Sequence, residues 1–174
     1  TVRLLRNHPC ICLWTIFNEG WGQFCADKMY DKAKAQDPSR IIDATSGWFQ
    51  RKRSDVNSLH IYFKPLKAKA DGRPLVISEF GGYSHRVDGH LFGNKNYGYT
   101  TYPSAGEFEM AVCKLYDTEV RELVKDGASA FIYTQVSDVE DEINGFITYD
   151  RQVVKVDCER LNRINKELGN ISNL

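Results

Sequence analysis

The chain has 174 residues, 42% apolar and 26% charged, with 23 basic side chains balanced by 23 acidic ones. That is the composition of an ordinary folded domain and excludes a disordered chain. Zero formal net charge gives no electrostatic footprint for nucleic acid or an anionic membrane surface, and no apolar run approaches the ~20 residues that cross a bilayer.

The first strand-like run is ICLWTIF (Ile11–Phe17), continuously apolar as in a sheet buried on both faces. A helix is expected from Gly22 to Gln36, with Phe24, Cys25, Met29, Ala33 and Ala35 near helical spacing and Asp37-Pro38 as its stop. RIIDATS (Arg40–Ser46) is a second strand, and the basic run Arg51-Lys52-Arg53 reads as a solvated loop. VNSLHIY (Val56–Tyr62) is a third strand, leading through Pro65 into the lysine- and alanine-rich KPLKAKAD. PLVISEF (Pro74–Phe80) is the fourth and most strand-like. A long loop rich in Gly, Asn and Tyr runs from Gly81 to Ser104. An amphipathic helix follows from Ala105 to Lys125, with Phe108, Val112, Leu115, Val120 and Leu123-Val124 on its apolar face and Gly127 at its end. SAFIYTQV (Ser129–Val136) is a fifth strand, and a last helix spans Asp157 to Leu168.

Such alternation implies an α/β fold with a parallel sheet, open or closed into a barrel. The chain is short for a complete eight-unit barrel, which takes roughly 250 residues, so a single incomplete domain is expected. Five cysteines form neither a disulfide framework nor a zinc pattern. They read as free core thiols, Cys10 and Cys12 alternating as strand neighbours, and lean towards a reducing, cytoplasmic compartment. The N-terminus, TVRLLRNHPC, lacks a signal-peptide core.

In parallel α/β folds chemistry gathers where strands end and loops begin. Asn18-Glu19 follows the first strand and Glu79 ends the fourth, each acid interrupting an apolar run. Either could be a salt-bridged strand-end carboxylate. Facing one pocket, two such acids can instead divide labour, one protonating a leaving oxygen while the other attacks carbon or activates water.

NHPCICLWTIFNE (Asn7–Glu19) resembles the strand-four signature of glycoside hydrolase family 2, the family of β-galactosidases, β-glucuronidases and β-mannosidases. DVNSLHIYF (Asp55–Phe63), PLVISEFGG (Pro74–Gly82) and NGFITYDRQVVK (Asn144–Lys155) resemble its strand-six, strand-seven and post-strand-eight stretches. The resemblance implies a partial (β/α)8 TIM barrel, strands four to eight with their helices, without the first three strands and the β-sandwich domains that usually precede them. It implies a retaining β-glycosidase with Glu19 as general acid/base and Glu79 as nucleophile. Asn18 would bind the sugar's 2-hydroxyl, and Tyr62 would hydrogen-bond Glu79. His60 and Trp48 are further candidate sugar contacts, against the plainer readings of a backbone-satisfied histidine and a packing tryptophan. Tyr83, Tyr97, Tyr99 and Tyr102 are plausible subsite walls or an ordinary loop cluster.

Two departures bear on specificity. Where relatives place a strand-eight Trp against the sugar, this sequence reads Tyr133, Thr134 and Gln135. The lysine with which glucuronidases grip a carboxylate is missing before Gly145, where Glu142-Ile143-Asn144 stands, so a galactoside-like substrate is favoured over a glucuronide. The acidic run Asp138, Glu140, Asp141 and Glu142 reads as a solvated loop rather than a cation site. The expected partner is a carbohydrate, with no cofactor and no metal; open barrel edges would invite homo-oligomers. The alternatives are a catalytically inactive carbohydrate-binding or scaffolding module derived from the same barrel, and a metal-assisted hydrolase.

Overall fold

The structure is a computed structural model that describes residues 1–171. The chain forms two compact units, Thr1–His60 with Lys69–Ser78, and Ile61–Ala68 with the chain from Glu79 onward.

The first unit opens with a short helix, α1 (Val2–Leu5), which carries no strong sequence signal. Strands β1 (Leu13–Asn18) and β2 (Ile41–Ser46) pair in parallel, Leu13 opposite Ile41 and Asn18 opposite Ser46. Parallel neighbours need a long crossover, and α2 (Ala26–Gln36) supplies it. This helix starts four residues later than the apolar spacing predicts, because Gly22 (φ 62°) and Cys25 (φ 41°) take left-handed conformations that a helix excludes. It stops at Asp37 before Pro38, as expected. The Asp37 carboxylate accepts from the Trp14 indole (2.9 Å), the Ser39 hydroxyl (2.8 Å) and the Arg40 guanidinium (2.7 Å). These donors, the Trp14 indole first, hold its pKa down at about 2.

No helix separates β2 from β3 (Asn57–Ile61), or β3 from β4 (Leu75–Gly81). The first gap is closed instead by Asp55, which accepts from the Ile42 amide (2.8 Å), Lys34 (2.8 Å) and Tyr30 (2.6 Å). KPLKAKAD is coil, since a segment this short between Pro65 and Gly72 cannot offset helix nucleation. Strands β3 and β4 and the later β5 (Ala130–Thr134) lie side by side in that order.

In the second unit the predicted helix from 105 to 125 is one run in three parts. These are α3 (Ala105–Leu115), a π-helical turn (Tyr116–Val120) and α4 (Arg121–Lys125). Ser104 caps it, its hydroxyl accepting from the Glu107 amide at 3.2 Å. Of the apolar stripe of the sequence, Phe108, Val112, Leu115, Val120 and Leu123 are buried and Val124 is half-buried. Gly127 (φ 89°) ends the run, its amide donating to the Val124 carbonyl and the Ala128 amide to the Leu123 carbonyl, a Schellman closure. The last helix is α5 (Cys158–Ile171), burying Ile164 and Leu168. Among the described residues no helix is long and apolar enough to cross a membrane.

Two expectations are corrected. All five cysteines are free, but only Cys113 is a core thiol; Cys10, Cys12, Cys25 and Cys158 are exposed. Cys10 and Cys12 precede β1, which begins at Leu13, so strand alternation does not govern them. The acidic run is likewise not wholly solvated: Asp138 is 1% exposed. It accepts from Lys155 Nζ (2.8 Å) and the Gly145 amide (2.8 Å), while Lys155 also donates to the carbonyls of His85 (2.9 Å) and Ile143 (3.1 Å). Burial raises the Asp138 pKa against the pull of Lys155, and burial lowers that of Lys155.

Removing one partner of such a pair strands a buried charge. Lys155→Met is expected to cost about 3–5 kcal/mol, read as a lower urea midpoint, whereas an unchanged midpoint would mean the pair is dispensable.

Candidate active site

Glu19 follows the last residue of β1, Asn18, whose side chain lies on an exposed residue. Its backbone is left-handed (φ 53°), and its amide donates to the Ser46 carbonyl at 2.9 Å, at the end of the paired strand. The turn that follows brings the Glu19 side chain beside His60, with Oε1 2.8 Å from the ring Nδ1. The Glu19 side chain is 19% exposed and that of His60 is 0% exposed. On its other edge the ring places Nε2 3.0 Å from the Ser46 hydroxyl. Gly47 closes the third side: its φ is 95°, and a Cβ there would lie 2.8 Å from His60 Nδ1. The imidazole is therefore fixed by sequence-adjacent residues Ser46 and Gly47 at one end of β2.

A cleft of about 420 Å³ adjoins Glu19 in the same unit, lined by Gly20, Gln23, Phe24, Phe49, Gln50 and Arg51 among others. Gln23 Nε2 donates to the Phe49 carbonyl at 3.2 Å, which fixes one wall of it.

Glu79 belongs to the second unit. The strand that carries it, β4, is buried from Leu75 to Ile77 and opens at Ser78 and Glu79. Tyr62 donates its phenolic proton to Glu79 Oε2 at 2.8 Å. The Tyr62 phenolic oxygen also lies 2.7 Å from the Thr134 hydroxyl. Because a phenol has one proton and the carboxylate takes it, Thr134 is the donor in that second contact. Burial pushes the Tyr62 pKa well up, the Thr134 hydroxyl opposes this, and the Glu79 charge adds to it. Tyr62 therefore stays a protonated donor. Its ring stacks on Tyr99 with centroids 4.3 Å apart and an interplanar angle of 9°.

The remaining candidates are placed less centrally. Trp48 is 62% exposed on the loop after β2. Tyr133 packs inward: its ring stacks on Phe146 (4.3 Å), and a Cβ on Gly81 would lie 2.2 Å from it. Tyr83 and Tyr102 form an edge-to-face pair at 5.4 Å. The sequence marks Thr134 only as part of the Tyr133-Thr134-Gln135 departure and gives it no role, because a threonine ending a strand is ordinary β chemistry. Ser46, Ser58 and Ser78 were also passed over, though hydroxyls inside three apolar strands are the kind of interruption that singled out the two glutamates. The bond between Thr134 and Gln135 is cis.

The chain is similar to known proteins. The family model described as "Glycosyl hydrolases family 2, TIM barrel domain" matches residues 1–157. A beta-galactosidase of Klebsiella pneumoniae (strain 342) is 25% identical over 171 residues, covering 84% of this chain and 16% of its own length. A beta-galactosidase of Yersinia enterocolitica is 24% identical over 119 residues, covering 56% of this chain and 10% of its own length. The chain thus spans 16% or less of these curated relatives. A solved structure from Bacteroides fragilis, a candidate beta-galactosidase, matches 99% of this chain and 30% of its own with a TM-score of 0.58 at 18% identity. That likeness concerns the fold, which is a partial TIM barrel.

The contact between Gly47 and His60 sets up a test. Gly47→Ala is expected to destabilise by about 2–4 kcal/mol, combining a left-handed Cβ with overpacking. Adding His60→Ala should recover part of that loss in thermal unfolding, and strictly additive losses would show that the ring is not what Gly47 accommodates.

Proposed function

This chain belongs to family 2 of the glycosyl hydrolases, and we propose that it carries the two catalytic carboxylates of a retaining β-glycosidase. The observation that supports this best is the Thr134–Tyr62–Glu79 chain, two hydroxyls in series that end on one oxygen of a strand-end carboxylate. Such donors steady an ionised nucleophile at Oε2.

In the first half-reaction Glu79 attacks the anomeric carbon, the glycosidic C–O bond breaks, and the leaving oxygen takes a proton from Glu19. In the second, Glu19 removes a proton from water, whose oxygen displaces Glu79 from the same carbon. Two inversions give retention. Asn18 serves the 2-hydroxyl in this reading. The reaction is that of the full-length protein.

A β-galactoside is the preferred substrate class. The curated relatives are named beta-galactosidases. A glucuronide would need a cation at its carboxylate; of the two cations in the post-strand-eight segment, Lys155 is buried against Asp138 and Arg151 donates to the Tyr149 carbonyl.

Glu79→Gln in the full-length protein is expected to abolish turnover of an aryl β-galactoside while ligand binding by calorimetry persists; unchanged turnover would sink the assignment. Glu19→Ala should be rescued by azide on an activated aryl glycoside, giving a glycosyl azide of retained configuration, whereas an inverted azide would make Glu19 the nucleophile. Tyr62→Phe should lower kcat by about 100-fold with little change in thermal midpoint.

A further inference from the structure

Behind Glu19, buried polar groups continue into the first unit. His60 Nε2 lies 3.0 Å from the Ser46 hydroxyl, which is also 3.0 Å from Ser58 Oγ and 2.9 Å from Ser78 Oγ. Ser58 donates to Ser78 at 2.7 Å, and Ser78 to the Leu59 carbonyl at 3.3 Å. At the far end is Asp43, 2% exposed, whose carboxyl the hydroxyls of Ser58 and Ser46 reach. Its Oδ1 is buried without a hydrogen-bond partner among the described residues.

A neutral imidazole carries one N–H, and its two neighbours decide where that proton sits. Ser46 also has a single proton to give. If Ser46 donates to Nε2, the ring proton sits on Nδ1 and is donated to Glu19 Oε1. The acid proton of Glu19 then resides on Oε2, available to a glycosidic oxygen. If an ionised Asp43 draws the Ser46 proton instead, Nε2 becomes the protonated nitrogen. Nδ1 then takes the proton of Glu19 for itself.

We propose that Asp43 and Ser46 are positioning residues that hold His60 in its Nδ1–H form and thereby aim the acid proton of Glu19 at the leaving group. The inference rests on Glu19 being the general acid. Asp43 acts as a neutral acid, donating into the serine cluster. A buried carboxylate with one unpartnered oxygen is costly when ionised, and burial raises the Asp43 pKa against the Ser58 and Ser46 hydroxyls. After proton transfer, the same Nδ1–H stabilises the Glu19 carboxylate that must take a proton from water.

Acid assistance matters for poor leaving groups and little for activated ones. The test compares kcat/KM of the full-length protein on phenyl and dinitrophenyl β-D-galactosides. Ser46→Ala is expected to lower the phenyl rate by about 10- to 100-fold, with the dinitrophenyl rate moving far less, and Ser46→Thr should restore the phenyl rate by returning the hydroxyl. Asp43→Asn, which offers an N–H in place of the acid O–H, should keep the wild-type ratio of the two rates. Equal losses on both substrates in Ser46→Ala, or no loss on either, overturn the proposal. So does a selective loss of the phenyl rate in Asp43→Asn, and that variant decides alone if Ser46→Ala does not fold. Azide rescue of Glu19→Ala, run in parallel, separates the two layers: rescue without Ser46 selectivity rejects the proton-aiming chain but keeps Glu19 as acid/base, and no rescue rejects the acid/base role itself.

Discussion

A partly buried carboxylate at a strand end must find hydrogen-bond donors inside the protein, because water reaches only part of it. Glu19 and Glu79 both meet this constraint, and each does so through one short stretch of sequence, His60-Ile61-Tyr62. The histidine serves Glu19 and the tyrosine serves Glu79. Each donor is backed by a hydroxyl from another strand, Ser46 for the histidine and Thr134 for the tyrosine. The two acids thus meet different partners, an imidazole and a phenol. A ring nitrogen of the imidazole can donate or accept according to its tautomer, whereas the phenol, with its pKa raised by burial, only donates. In the proposed reaction that asymmetry suits Glu19 for proton exchange and Glu79 for staying ionised.

Much of this was legible in the sequence where burial leaves its mark as an uninterrupted apolar run. PLVISEF reads as a strand because three successive residues are buried on both faces, and the structure ends β4 one residue beyond it. The glutamates stood out because acids rarely end such runs without a task. Other features depend on information that composition does not hold. The start of α2 turns on left-handed backbone at Gly22 and Cys25, and the apolar spacing runs straight through it. KPLKAKAD has helix-forming residues but too little length to hold a helix. Asp138 looked like one acid among four, and only the fold reveals that Lys155, seventeen positions later, meets it in the interior.

The supporting polar groups illustrate the same divide. Serine inside a strand is chemically quiet in a sequence, since its hydroxyl can bond back to the local backbone. Ser46, Ser58 and Ser78 come from three different strands, and their convergence is a property of strand register. Thr134 is similar. Such residues are found by asking which hydroxyls interrupt buried apolar runs, a question as applicable to serine as to glutamate.

The left-handed backbone at Glu19 has a consequence for how such a domain drifts. A residue with a Cβ loses roughly 1–2 kcal/mol there relative to an ordinary conformation, and glycine or asparagine would be more comfortable. On the proposed assignment, position 19 keeps its carboxylate against a mild conformational preference for residues that have none. Once selection for that carboxylate lapses, the easiest substitutions at this site leave the fold more stable and the acid gone. Under the proposed function, a sugar-holding pseudoenzyme would lie one codon change downhill from the hydrolase.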